Sequence, residues 1–175
     1  MTTTAIVLLC LAIILFTTLR GGRKSPKGNS IITAGDLEAE VRYCRPSVRN
    51  RVIFGTKEEG ALLKYGNYWR LGANQATTIR FSQDVKLAGQ AVPAGTYHLY
   101  AIPGKTEFQI GLNTKVRSWG SMTAKAETDL CRITIPVSRP DEPVEQLTID
   151  FLNTPSLTLR ISWSDVQLDL PVTKA

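Results

Sequence analysis

Four arginines, Arg45, Arg49, Arg51 and Arg70, are the side chains in this 175-residue chain best suited to recognise another molecule. A guanidinium holds five N–H donors in a planar fork that matches the two oxygens of a carboxylate or the edge of a phosphate. Asn74 and Gln75 add directional amide donors and acceptors, and Trp69, Tyr97 and Trp119 add flat apolar faces. Such donors beside aromatic walls suit a small anion or a carbohydrate, and these nine residues form the candidate binding set. The same residues also have structural uses. An Arg beside Trp in a β-protein often stacks on the ring or pairs with a carboxylate, here Asp84 or Asp129. An Asn in a Gly-Ala-Asn turn often hydrogen-bonds the backbone.

Catalytic chemistry has less to work with. His98 is the single histidine, and Ser47, Ser118 and Ser121, which it would have to activate, lie in no nucleophile-elbow context. On an alternating strand, His98 points away from Tyr97 and Leu99 and shares a face with Tyr100, which predicts a half-buried strand histidine. The carboxylate pairs Glu58–Glu59 and Asp141–Glu142 occupy turn-like positions and read as solvated. There is no phosphate-binding Gly loop, no dinucleotide fingerprint and no haem or iron–sulfur pattern. With one His, and with Cys44 and Cys131 separated by 87 positions, no zinc spacing exists. No cofactor or metal is expected, the two cysteines read as buried free thiols, and the role is expected to be non-catalytic.

The elements that must position these residues are strands. Apolar residues recur every second position in short runs broken by Gly, Pro, Asn and Asp. Strands are predicted over Leu37–Tyr43, Thr77–Phe81, Val85–Leu87, Thr96–Ile102, Glu107–Leu112, Leu130–Val137, Val144–Phe151, Ser156–Trp163 and Val166–Leu170. Leu157, Leu159, Ile161 and Trp163 share one face, with Thr158, Arg160 and Ser162 on the other, as a sheet with one buried face requires. Val92-Pro93-Ala94-Gly95 and Ile102-Pro103-Gly104-Lys105 are turn sequences. Lys57 to Lys64 is expected to form at most a helical turn. Nine short strands with regular turn signals predict an all-β fold, a single β-sandwich or jelly-roll-like domain.

Two runs, Tyr65-Gly66-Asn67-Tyr68-Trp69-Arg70-Leu71-Gly72-Ala73-Asn74-Gln75-Ala76-Thr77 and Pro93-Ala94-Gly95-Thr96-Tyr97-His98-Leu99-Tyr100-Ala101-Ile102-Pro103, carry a family resemblance. With Arg45-Pro46-Ser47, Arg49, Arg51 and Ile53-Phe54-Gly55 before them, and Trp119-Gly120 and Asp129 to Arg132 after them, the chain resembles the DUF2911 family of bacterial β-domains over about residues 37–171. The resemblance implies a β-domain and brings no established catalytic activity. It also implies export, since such sequences usually follow a signal segment. Where they read Gly-Ala-Asn-Glu-Ala-Thr, this chain has Gln75, a neutral amide that cannot act as acid, base or metal carboxylate. Lys64 replaces the usual Pro before Tyr-Gly, and Cys44 and Cys131 stand where Ser and an aliphatic residue are more common.

Ahead of the β-region, Thr2 to Leu19 are eighteen uncharged, mostly apolar residues, followed by Arg20, Arg23, Lys24 and Lys27. As a helix this run reaches roughly 27 Å, close to the hydrocarbon thickness of a bilayer. The flanks fit a retained anchor better than a cleaved signal, because no cationic n-region precedes the run and no small-x-small site follows it. The division is residues 1–20 as transmembrane anchor, 21–35 as a basic Gly/Ser/Lys linker and 36–175 as the β-sandwich. Beyond the four collar cations the chain carries 17 Lys and Arg against 15 Asp and Glu, so the net charge of +6 is mostly juxtamembrane. That pattern matches an anionic lipid surface and lacks the cationic domain face that nucleic acid requires.

The leading expectation is a single-pass protein of the bacterial inner membrane. Its extrinsic domain would be a non-catalytic accessory subunit stabilising a larger membrane complex, for example respiratory or photosynthetic. Its partners are then the lipid bilayer and the other subunits of that complex. The alternative is a membrane-tethered binding module for a small anion or carbohydrate. The positive-inside rule places the domain in the cytoplasm, whereas the family resemblance places it on the exported side.

Overall fold

The computed structural model describes residues 25–116 and 123–175. The expected anchor, the first part of the expected linker and Trp119 lie outside the described residues. Within them the fold is all-β and sandwich-like. The thirteen strands are β1 (Lys27–Ala34), β2 (Leu37–Cys44), β3 (Phe54–Gly55), β4 (Leu63–Lys64), β5 (Thr77–Phe81), β6 (Val85–Leu87), β7 (Gln90–Val92), β8 (Gly95–Ile102), β9 (Glu107–Asn113), β10 (Asp129–Pro136), β11 (Val144–Leu152), β12 (Thr158–Ser164) and β13 (Val166–Lys174). Six form one sheet in the order β1-β2-β5-β8-β9-β10, and five form the other in the order β11-β12-β13-β6-β7. All pairings in both sheets are antiparallel, while β3 and β4 make a short parallel ladder. No helix among the described residues is long and apolar enough to cross a membrane.

All nine strands expected from alternation form, with ends moved by up to four residues. Their inward positions, among them Val41, Ile79, Leu99, Ile110, Ile149, Ile161 and Leu168, make one shared core. Period-two patterning dictates this outcome, because a register slip of one residue would expose the whole apolar set.

Three expectations need correction. Residues 27–34, expected in a linker, form β1 and pair with β2 over eight positions from Lys27–Cys44 to Ala34–Leu37. The tight turn Gly35-Asp36, with Gly35 at φ +61°, folds the hairpin. β1 shows no apolar alternation because it is an edge strand: Ile31 faces outward, and Ser30 Oγ accepts a hydrogen bond from Phe151 N at 3.2 Å. The segment from Lys57 forms no more than the single turn expected, with Gly60 N donating to Lys57 O, but its last residues, Leu63 and Lys64, become β4 instead of continuing it. Finally, β8 is buried on both faces, so His98 is 1% exposed rather than half-buried. A second layer covers its outer side. Trp69 exchanges two 2.8 Å backbone hydrogen bonds with Ala101, which extends the sheet beyond the end of β5 and lays Tyr68 over His98 and Tyr100.

Candidate functional site

At one end of the sandwich the exit of β2, the start of β1 and β11, and the loops at 47–51, 62–63 and 69–74 surround an open cleft of about 590 Å³. Arg45, Arg49, Arg51, Trp69, Arg70 and Asn74 all line it. Six of the nine candidate residues therefore converge, although Arg45 and Arg70 are 25 positions apart in sequence. Among the described residues lining this cleft there is no Asp or Glu, the Glu145 carboxylate reaching its edge only at Arg49 N, so the four arginines make the cleft cationic.

The walls are built by specific local bonds. Arg45 Nε donates to Leu147 O at 3.1 Å and its Nη2 to Thr148 Oγ1 at 3.0 Å, which fixes the base of the cleft to β11. Pro46 O accepts from Leu147 N at 3.0 Å, and Val48 N donates to Glu145 O at 2.8 Å, so the loop continues as an extra rung beside β11. Arg49 and Asn50 then take positive φ values of 51° and 56°, turning the chain sharply. Arg51 locks that turn, with Nε donating to Val48 O at 2.9 Å and Nη2 to Ser47 O at 2.6 Å. Arg49 offers its backbone N–H to Glu145 Oε1 at 3.1 Å. Arg70 forms no ion pair with a carboxylate among the described residues, and Asp84 and Asp129, its conceivable partners, are engaged elsewhere.

The 69–74 loop has its own constraints. Thr77 Oγ1 donates to Leu71 O at 2.6 Å in a buried position, while Leu71 and Asn74 adopt φ of 54° and 58°. Asn tolerates this left-handed conformation better than most residues, in keeping with the turn expected at Gly-Ala-Asn. A Cβ on Gly72 would lie 3.0 Å from the Cys44 carbonyl and 3.1 Å from Thr77 Oγ1. Because one of those neighbours is backbone, Gly72→Ala should lower stability by about 1–3 kcal/mol and displace Arg70 and Asn74. Thermal melts of the variant check this, and an unchanged midpoint would contradict the close packing.

The remaining candidates behave differently. Trp69, expected as an open wall, is 4% exposed and belongs to the core. It stacks on Trp163 at 5.8 Å between ring centroids, and Phe54 meets Trp69, Phe108 and Trp163 edge-on. The aromatic group is thus the floor of the cleft, and its apolar area is spent on the core. Tyr97 is also a core residue, its hydroxyl donating to Pro93 O at 2.8 Å to hold the turn before β8. Gln75 faces a neighbouring groove of about 540 Å³ lined by Lys27, Asn29, Arg42 and Thr78. Trp119 lies outside the described residues. Sequence reasoning missed Ser25, Pro26 and Gln146 as lining residues, because none carries a local signal and only sheet pairing brings them there.

A second polar cluster sits on the outer face of β8 and β9. Asp129 accepts from Tyr100 Oη at 2.6 Å, Arg132 Nε at 2.8 Å and Asn113 Nδ2 at 2.8 Å. Asn113, fully buried, also donates to Lys125 O at 2.9 Å and so clasps the returning chain to the sheet. The Tyr100 ring covers its cross-strand neighbour Gly111, where a Cβ would collide with the ring. Burial first, and the Asp129 carboxylate second, push the Tyr100 hydroxyl well above its ordinary range. Cys44 is buried and Cys131 half-buried rather than buried, and both thiols are free. Burial, and then the nearby Asp129, raise the pKa of the Cys131 thiol.

Comparison with curated proteins and with solved structures returns no match for this chain. A family model described as "Protein of unknown function (DUF2911)" matches residues 25–172, a span that takes in β1 and both sheets. The chain therefore belongs to the DUF2911 family.

Proposed function

We propose that this chain is a membrane-tethered binding domain whose arginine-lined cleft takes an anionic group, a carboxylate or a phosphate. One observation carries the reading: four arginines line one open cleft with no Asp or Glu among its described lining residues. Arg45 and Arg51 spend donors on the backbone and so stand preorganised, while Arg70 has no competing acidic partner among the described residues. A fixed cationic concavity favours a compact anion because little ordering remains to be done on binding. A neutral sugar is disfavoured, since Trp69 gives no open face to stack on. The tether is the Thr2 to Leu19 segment, placed in a bacterial inner membrane.

The test is thermal stabilisation of the full chain in a nonionic detergent by inorganic phosphate and by small dicarboxylates. A ligand at a hundred times its Kd adds about 2.7 kcal/mol to stability. Arg70→Ala should abolish that gain while lowering the ligand-free stability by no more than about 1 kcal/mol, since the half-buried Arg70 holds no ion pair among the described residues. Stabilisation that survives Arg70→Ala, or none in the parent, would refute the reading.

An accessory subunit of a larger membrane complex is the second reading. It is favoured by the exposed apolar pair Val52 and Leu62 beside the cleft, which a partner subunit could cover. Gentle detergent extraction of the native protein, then size separation and mass spectrometry, decides it. Co-migration with a large assembly supports the accessory role, and a lone chain in its micelle counts against it.

A further inference from the structure

The cleft differs from a simple anion site in two respects. Its rim is apolar: Val52 is 50% and Leu62 47% exposed, and Leu62 N donates to Val52 O at 3.0 Å, so the two side chains are held as neighbours. Val52 directly follows Arg51, and Leu62 itself lines the cleft. The second difference is where the chain enters. Ser25 and Pro26 line the same cleft, and Arg45 N donates to Pro26 O at 2.8 Å, which ties the entry point to the arginine cluster. Six residue steps separate Leu19 from Ser25, a span of at most about 20 Å when fully extended. With Thr2 to Leu19 in a bilayer, the cleft is confined to the neighbourhood of the headgroups, and Arg20, Arg23 and Lys24 lie along the way.

A soluble anion would need the arginines and would gain nothing from Val52 and Leu62. Cations flanked by exposed apolar side chains are the combination that interfacial binding uses, charge for the headgroup and apolar surface for the acyl boundary. We infer that the cleft seats the phosphate of an anionic lipid headgroup, with Val52 and Leu62 dipping into the interface, so that the domain lies cleft-down on its own membrane. The inference rests on the anion-binding reading above and names the source of the anion.

Hydrogen exchange of the full chain in nanodiscs tests it. In discs containing phosphatidylglycerol, peptides covering 47–52 and 61–64 should exchange roughly five-fold or more slowly than in discs of phosphatidylcholine alone. Val52→Ser with Leu62→Ser should remove that protection, yet phosphate should still raise the melting temperature of this variant in detergent. Arg70→Ala should remove both effects. Equal exchange in the two kinds of disc, with phosphate stabilisation intact, would overturn the lipid assignment and leave the anion site standing. Equal exchange without phosphate stabilisation would overturn both.

Discussion

Trp163→Ala should destabilise the protein by about 3–5 kcal/mol, the usual cost of emptying a large aromatic site in a core. Trp163 is 2% exposed, stacks on Trp69 and receives the edge of Phe54, so no neighbour can collapse into the space without disturbing two rings. In a domain of this size such a loss lowers the thermal midpoint by about 10 °C or more. The same ring underlies the cleft, so on the anion-binding proposal the variant should also lose stabilisation by phosphate. Trp163→Phe keeps an aromatic ring in the same space. The indole Nε1 has no acceptor among the described residues, so the replacement removes a buried orphan donor together with the lost ring volume. Its cost should fall well below that of the alanine variant. Calorimetry of the three proteins checks the order, and equal losses for Phe and Ala would show that ring packing does not hold this end of the sandwich together.

Asp129→Ala is expected to cost about 1–3 kcal/mol, because it leaves the buried Tyr100 hydroxyl without its acceptor and takes one of its acceptors from Asn113, which keeps Lys125 O and Thr128 Oγ1. Arg132 adds little to that figure. Its side chain is substantially exposed, and water screens the pair. The cluster also sets an alkaline limit. The folded protein holds the Tyr100 proton more tightly than the unfolded chain does, owing to burial and then to Asp129. That contribution is fully present below pH about 10, the ordinary tyrosine value, and is lost as the pH climbs toward the higher folded value. Tyr100→Phe should therefore lower stability at neutral pH and flatten its decline above pH about 10. Urea titrations at pH 7 and in the alkaline range measure both effects. An unchanged alkaline slope in the variant would mean that another group sets the limit.

What the two clusters share is a tryptophan or tyrosine whose role is decided by the other side of its strand. For the strands that carry them, alternation was sufficient evidence. Nine of thirteen were legible because each buries one face, and the spacing of Leu159, Ile161 and Trp163 leaves no other way to hide those side chains. The four that were not legible have a common cause. β1 is a polar edge strand, β3 and β4 have two residues each, and β7 has three, so none is long or apolar enough to show a period. Their strand geometry comes from pairing with a neighbour, which is a non-local event.

The candidate site divides in the same way. Residue chemistry by itself determined that this chain carries arginines of a type suited to an anion, a β-domain of the DUF2911 kind, and an apolar N-terminal segment followed by cations. Arg45, Arg49 and Arg51 could be grouped because they are neighbours in sequence. Only the tertiary structure decided that Arg70 and Asn74 join them while Gln75, one residue further, opens onto another groove. It also decided that Trp69 and Tyr97 turn inward and that Asp129 answers Tyr100 rather than an arginine of the cleft. The physical reason is that an aromatic or an arginine is chemically fit for both core and site. Which use prevails depends on the area a distant strand offers to cover it, and no local spacing encodes that area.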